Sequence, residues 1–453
     1  MYNVAVLVVG NISRTTSGSG PALQALRRQQ NGMFSIDTAR FRIRPELAFL
    51  ACLMAIISAC GPRTPEASLA TASPGTPGLP ANGTAITNLP ARPLAIWWPD
   101  ALLPDSPDAP FAASIAAIAA DRPIEFSIKP AYGVSGIQAF LASTAQASPD
   151  RLPDLALLPL GALRDAHRAG LIQDIPESAG INDDCFDFAS ARAGEGDTVW
   201  ALPVAVDLLH GIGRDVDLPA SWQALQALGR RPLILPLGGT SPPDLAAMVA
   251  SYAAEGGDPS TLPDVDPVAF EAMVGRLSDA LKAGNLGLPL SGNSPHSAWN
   301  TFAAGDPPFA AVNAATALAN QGHYPGLTWA SLPGGKDAAP PIAWGWALVL
   351  PVRDPDRLVL AAQLALDLAA ALREGSIRID GQLPTVQEGW RDRASAGLDP
   401  LPDAAYLDFL EEELASAIVA DSVQIWGPGW ALVGADIAAG RPASEAAARR
   451  LQP

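Results

Sequence analysis

Basic residues are scarce in this 453-residue chain: 29 Lys and Arg stand against 46 Asp and Glu, for a formal charge of −17. Residues 1–60 hold six of the basic residues and two of the acidic ones, so the part beyond Cys60 is more acidic still. A surface of that sign repels phosphate backbones, and no Lys/Arg stripe offsets it, which excludes nucleic acid as a partner. Cysteine is equally rare, with Cys52 and Cys60 in one apolar segment near the N-terminus and Cys185 far beyond it. If that segment is removed and Cys60 acylated, Cys185 is the single remaining thiol and no intramolecular disulfide forms. The fold then rests on packing. Charged residues make up 17% and hydrophobic residues 49%, which suits a folded chain and excludes global disorder.

Catalytic and metal-binding patterns are missing too. There is no His-Glu-x-x-His, no Cys-x-x-Cys pair and no Walker loop, since Gly334-Gly335-Lys336-Asp337 lacks the upstream glycine and the Ser/Thr. Gly211 and Gly213 lack the third glycine of a dinucleotide turn. Neither Gly133–Gly136 nor Gly292–His296 reads Gly-x-Ser-x-Gly. The four histidines, His167, His210, His296 and His323, are widely separated, which fits solvated or hydrogen-bonded roles better than a metal site. No cofactor and no metal is expected, and a binding role is expected ahead of an enzymatic one.

What is present begins with Phe41–Glu46 and the apolar stretch Leu47–Ile57, too short to span a bilayer and of the length of a signal-peptide core. It ends Ile57-Ser58-Ala59-Cys60-Gly61, which resembles the lipobox of bacterial lipoproteins: an aliphatic residue, two small ones, then the lipid-accepting Cys60. Residues 33–60 are therefore read as a lipoprotein signal and 1–32 as an extension, either a mis-called start or a disordered leader. Residues 61–91, rich in Pro, Thr, Ser, Ala and Gly, form a flexible linker. The expected location is extracytoplasmic, lipid-anchored to the outer face of the cell membrane.

Beyond residue 91 strands and helices alternate. Arg92–Pro99 reads as a buried strand, Phe111, Ile115 and Ile118 as a helix face, and Ile124, Phe126 and Ile128 as a strand. Ser135 is placed as the cap of a helix through Ile137 and Leu141, and Leu155–Leu158 as a further strand. This alternation implies βαβ units with a parallel sheet, whose ligands lie beyond the strand C-termini. The length exceeds one core, so an α/β protein of two lobes is expected. Further on, helices are expected over Leu245–Tyr252, over Phe270–Leu281 with Gly284 closing it, and over Arg357–Leu372.

Leu152-Pro153-Asp154-Leu155, followed by Ala169-Gly170-Leu171-Ile172, resembles a segment of family 1 extracellular solute-binding proteins, the maltose-binding-like group that serves ABC importers. Trp200–Asp207 resembles that family's strand crossing between lobes, and Pro219-Ala220-Ser221-Trp222 its "P-x-(T/S)-W" helix start. Trp299–Gly305 with Phe309–Asn313, Leu332–Gly335 with Ala343–Val349, Gly381–Pro384 and the helix Pro442–Leu451 continue the series in order. The likeness spans residues 92–453 and lies in order and spacing, no single motif being specific.

The resemblance implies two lobes with mostly parallel sheets joined by hinge crossings, of the type II periplasmic binding-protein kind: 92–205 and 314–343 in lobe 1, 206–313 and 344–453 in lobe 2. It implies a monomer that binds a small-molecule solute, by family default a sugar or oligosaccharide, and hands it to the ABC permease membrane subunits. A surface-anchored glycan hydrolase is the alternative.

Candidate ligand-binding residues follow from that architecture. Trp97 and Trp98 end the first strand, and Trp344 and Trp346 flank Gly345 on one side of a strand; indole faces stack on sugar rings, with core packing as the competing role. Asp207 is a carboxylate in an apolar crossing strand, suited to ligand hydroxyls or to hinge backbone. Gly161, Gly239 and Thr240 offer donors at helix starts, and Asn313 an amide beside a crossing. By resemblance, Trp426 or Trp430 falls near a ligand-contacting aromatic.

Overall fold

The computed structural model describes residues 92–102, 117–118, 120, 122–176, 185–290, 292–305, 307–324, 326–373, 382–396, 398, 401–421 and 423–448. The signal, linker and Cys60, together with Phe111, Ile115 and Gly381, lie outside them. Among the described residues no helix is long and apolar enough to cross a membrane.

Twelve strands are present among the described residues: β1 (Leu94–Pro99), β2 (Ile124–Lys129), β3 (Leu155–Pro159), β4 (Gly194–Glu195), β5 (Thr198–Val199), β6 (Ala201–Arg214), β7 (Leu233–Ile234), β8 (Leu286–Gly287), β9 (Phe309–Asn313), β10 (Leu327–Ala330), β11 (Ile342–Val349) and β12 (Ile418–Val419). All but the β4–β5 hairpin join one sheet in the order β2-β1-β3-β11-β6-β9-β7-β8, with β10 on β6 and β12 on β11. Each lobe owns a parallel trio. In the first, β1 lies between β2 and β3; in the second, β7 lies between β8 and β9. Parallel neighbours need crossover connections. The helix Ile137–Ala147 supplies one between β2 and β3, and Pro242–Ala254 with Pro267–Ala283 supply another between β7 and β8. Between the two trios the joints β3–β11, β11–β6 and β6–β9 are antiparallel, as is the pairing of β10 with β6.

β6 is the shared strand, and every residue of it but the last is buried. That explains a near-continuous apolar run instead of an alternating one, since both faces are covered. Pro203 sits inside it without breaking the ladder. Pairing with β11 shifts there, Trp346 facing Ala205 and Ala347 facing Pro203, so Val204 is an extra residue of a bulge. The Pro203 carbonyl accepts instead from the Arg373 guanidinium and the Thr385 hydroxyl.

The first core gathers β1, β2, β3 and the start of β6 with Ala361, Leu364, Ala365 and Leu368 of the helix Pro355–Arg373. The second gathers Leu245–Tyr252, Phe270–Ala280 and the helix Val423–Ala438, with Trp430 edge-on to Tyr252 and Phe270 at 5.4 and 5.1 Å between centroids. Residues 350–372 and 406–414, expected with the second lobe, thus pack with the first, and Leu332, Ala339 and Ile342 pack with the second. The cause is directional: β11 runs antiparallel to β3 and delivers the chain to the first lobe. Buried Asp154, the acid of the Pro153-Asp154 pair, then takes two hydrogen bonds from Arg357 and one from the Ala95 amide.

Several local signals act as read. The Ser221 hydroxyl accepts from the Ala224 amide at a helix start, and Gly284 ends Pro267–Ala283 in the left-handed conformation (φ 77°). Ser135 does not cap; the residue at that helix start is Gly136, with no side-chain cap bond. A side chain at 136 would meet the Tyr132 carbonyl carbon at 2.7 Å, so the tight approach selects glycine over a capping serine.

His210, fully buried in β6, shows how strictly polar groups are satisfied. The Gly211 carbonyl only accepts, so Nδ1 carries the proton and Nε2 accepts from the Tyr406 hydroxyl at 2.7 Å. Burial drops its pKa from 6.5 to about 4. The unfolded chain therefore takes up a proton as pH falls below the ordinary value, and stability is lost by about 1.4 kcal/mol per pH unit down to the folded value. Denaturant titrations of wild type and His210→Gln at about pH 7.5 and about pH 5 check this. The wild type is expected to lose about 2 kcal/mol relative to the variant; parallel curves contradict it.

Candidate functional site between the lobes

A cavity of about 700 Å³ lies between the lobes. Its walls follow from strand direction. The chain leaving β2 forms the turn 131–136, and the chain leaving β3 the turn 159–162, so the C-terminal ends of the first trio open into it. Across the gap stand Thr240, Pro242, Leu245 and Val249, at and after the turn that follows β7. Ile342–Gly345 of β11 and Val419, Ala420, Val423, Trp426 and Pro428 complete the lining among the described residues.

Two close approaches fix one wall. A side chain at Gly161 would bring Cβ to 2.2 Å from the Ala420 carbonyl oxygen, so glycine is required where the turn after β3 meets residues 418–421. The same segment is clamped to the first lobe by buried Arg192, which donates to the Asp421 carboxylate at 2.5 Å and to the Val419 carbonyl at 2.7 Å. Burial raises the Asp421 carboxyl while Arg192 and Arg164 pull it down.

Of the candidate residues, Gly161, Thr240, Trp344 and Trp426 line the cavity. The others lie elsewhere, each for a visible reason. Trp98 is buried, with its indole N–H donating to the Leu102 carbonyl at 2.9 Å. Trp97 packs edge-on to Phe140 beneath the Lys129 ammonium, 4.8 Å from the ring centroid. Trp346 stands behind the wall, 5.3 Å from the Tyr132 ring, and Trp430 fills the second core. Gly239 is pressed against the Asp244 side chain. Gly345, between the two strand tryptophans, admits the Ala205 carbonyl of β6, which a Cβ would meet at 2.2 Å.

Asp207 and Asn313 hold each other. The Asn313 amide donates to Asp207 Oδ2 at 2.7 Å, while the Leu208 and Ala315 amides donate to Oδ1 at 2.9 and 3.2 Å. The carboxylate thus ties β6 to the helix start after β9, at a crossing between lobes. Burial pushes it up to about 7 against the pull of those three bonds. Between the two uses weighed for Asp207, its bonds go to hinge backbone and a hinge side chain.

Tyr132, Gln138, Asp165 and Leu245 line the cavity and carry no sequence motif. Their one signal is position at or just after the end of a strand, or at a helix start. The Tyr132 phenol is raised above its ordinary value by burial, with Asp244, Asp207 and Asp100 adding, so it stays a neutral donor.

No protein-family signature and no curated protein sequence matches the chain. Solved structures do. The GacH receptor of Streptomyces glaucescens, known unliganded and in complex with acarbose, superposes with a TM-score of 0.60 at 15% identity, over 79% of this chain and 96% of that one. An ABC transporter solute-binding protein from Thermotoga lettingae, bound with α-D-tagatose, gives 0.60 at 14% identity over 79% and 97%. The maltose-bound MalE3 of T. maritima gives 0.58 at 13% identity over 79% and 98%. The chain has the maltose-binding-like fold. These neighbours are binding proteins, and the α/β architecture of two lobes read from the sequence is the one observed. The cavity occupies the gap between the lobes, with the turns after β2 and β3 on one side and the chain after β7 on the other. Among the described residues no cluster of His, Cys, Asp and Glu suits a metal ion.

Proposed function

We propose that the chain is the solute-binding component of an ABC importer, held to the outer face of the cell membrane by a lipid on Cys60. It works as a monomer, captures a small sugar-like solute between its lobes and presents it to the permease subunits. The observation that carries this reading is the cavity walled by both lobes, with Trp344 and Trp426 on one side and Tyr132 on the other. A ligand touching both walls binds the closed arrangement better than the open one, which is what shifts a hinge equilibrium. The neighbours' loads of acarbose, tagatose and maltose support a carbohydrate in that place.

A glycan hydrolase has less support. Cleavage of a glycosidic bond takes two carboxyl groups facing each other across the scissile bond. Among the described residues lining the cavity, Asp165 carries the one carboxyl.

Thermal unfolding in the presence of mono- and oligosaccharides tests the binding role. At least one sugar is expected to raise the midpoint by several degrees at saturation, and Trp344→Ala to abolish the rise while leaving the unliganded protein folded. A flat panel, or an undiminished rise in the variant, counts against it. Metabolic labelling with palmitate tests the anchor: label in the wild type and none in Cys60→Ser is expected, and label retained by the variant refutes attachment there.

A further inference from the structure

Among the described residues the cavity lining is chemically one-sided. Of the 28 described residues that line it, four carry a hydroxyl, amide or carboxyl side chain, Tyr132, Gln138, Asp165 and Thr240, and two carry an indole. None is Lys, Arg or His. The Trp426 indole N–H is already committed to the Asp421 carbonyl at 2.6 Å, and that of Trp346 is buried behind the wall. Much of the remaining surface is aliphatic, with Leu245, Val249, Ile342 and Val423 contributing from the second lobe and β11, and Val419 from β12.

A free oligosaccharide fits this lining poorly. Its rings present hydroxyl groups all around their rims, and each one buried against an aliphatic wall loses its water partners without replacement. Anionic sugars fit worse, because the described lining supplies no cation and Asp165 repels them. An apolar ring or short alkyl chain gains what a sugar rim loses, by removing its own surface and that of the wall from water. The flat faces of Trp344, Trp426 and Tyr132 suit a ring of either kind.

We infer that the solute is an uncharged amphipathic glycoside, a sugar carrying an aryl or short alkyl aglycone that rests on the Leu245–Val249–Val423 side of the cavity. This rests on the solute-binding reading and narrows it. The four polar side chains serve the few sugar hydroxyls they are able to pair, and the aliphatic wall takes the aglycone.

Isothermal titration of the purified full chain with maltose, maltotriose, p-nitrophenyl maltoside and hexyl maltoside tests the inference. One of the substituted maltosides is expected to bind at least about tenfold tighter than maltose, as partial burial of a ring or hexyl chain provides. Val423→Thr, which exchanges a wall methyl for a hydroxyl of similar size, is expected to cut that advantage over maltose several-fold. Maltose or maltotriose binding as tightly as both substituted maltosides overturns this inference and leaves the solute-binding reading standing. An unchanged advantage in Val423→Thr overturns the placement of the aglycone. If none of the four binds, the inference and the carbohydrate reading fall together.

Discussion

One strand belongs to both lobes, and the rest of the architecture follows from that sharing. β6 runs for 14 residues with its faces covered almost throughout, paired to β11 and β10 along one edge and to β9 along the other. A strand that long cannot end in water halfway, because its amides and carbonyls would lose their partners on leaving the sheet. The lobes are therefore held side by side along their common strand. Their parallel trios both run up to the same gap, and the cavity is what their ends leave open.

The points where the chain crosses that gap are secured by buried polar groups. Asp207 collects three donors from β6 and from the helix start beyond β9. A buried carboxylate without such donors is costly, so the cluster favours the one arrangement in which all of them meet. Arg192 and Asp421 make a similar join between the first lobe and the chain entering the last long helix. Asp154 and Arg357 do so away from the gap, tying a long helix to β1 and β3. Each join positions backbone, and none of these side chains lines the cavity.

The sequence made the elements legible and the site only partly so. β1, β2, β3 and the helix up to Gly284 stand where periodicity and turn residues place them, and the helix after Ser221 and the apolar crossing strand through Asp207 stand where the family resemblance places them. The tryptophans resist such reading because an indole in a core and an indole in a cavity wall obey the same pattern. Trp344 lines the cavity while Trp346, two residues on along the same strand, lies behind Tyr132. Tyr132 and Gln138 gain their place from how a turn and a helix start sit above the sheet, which no local motif encodes. The division of residues 344–453 between lobes was hidden for a related reason. It depends on the direction of β11 and on the Asp154–Arg357 contact, 203 residues apart in the chain.

Native-state hydrogen exchange along β6 tests the shared strand most directly. The account predicts that amides on both sides of Asp207, within 202–206 and within 208–213, open only with global unfolding and report one common free energy. Protection that collapses on one side of Asp207 while persisting on the other would show two separately stable halves, and would contradict it.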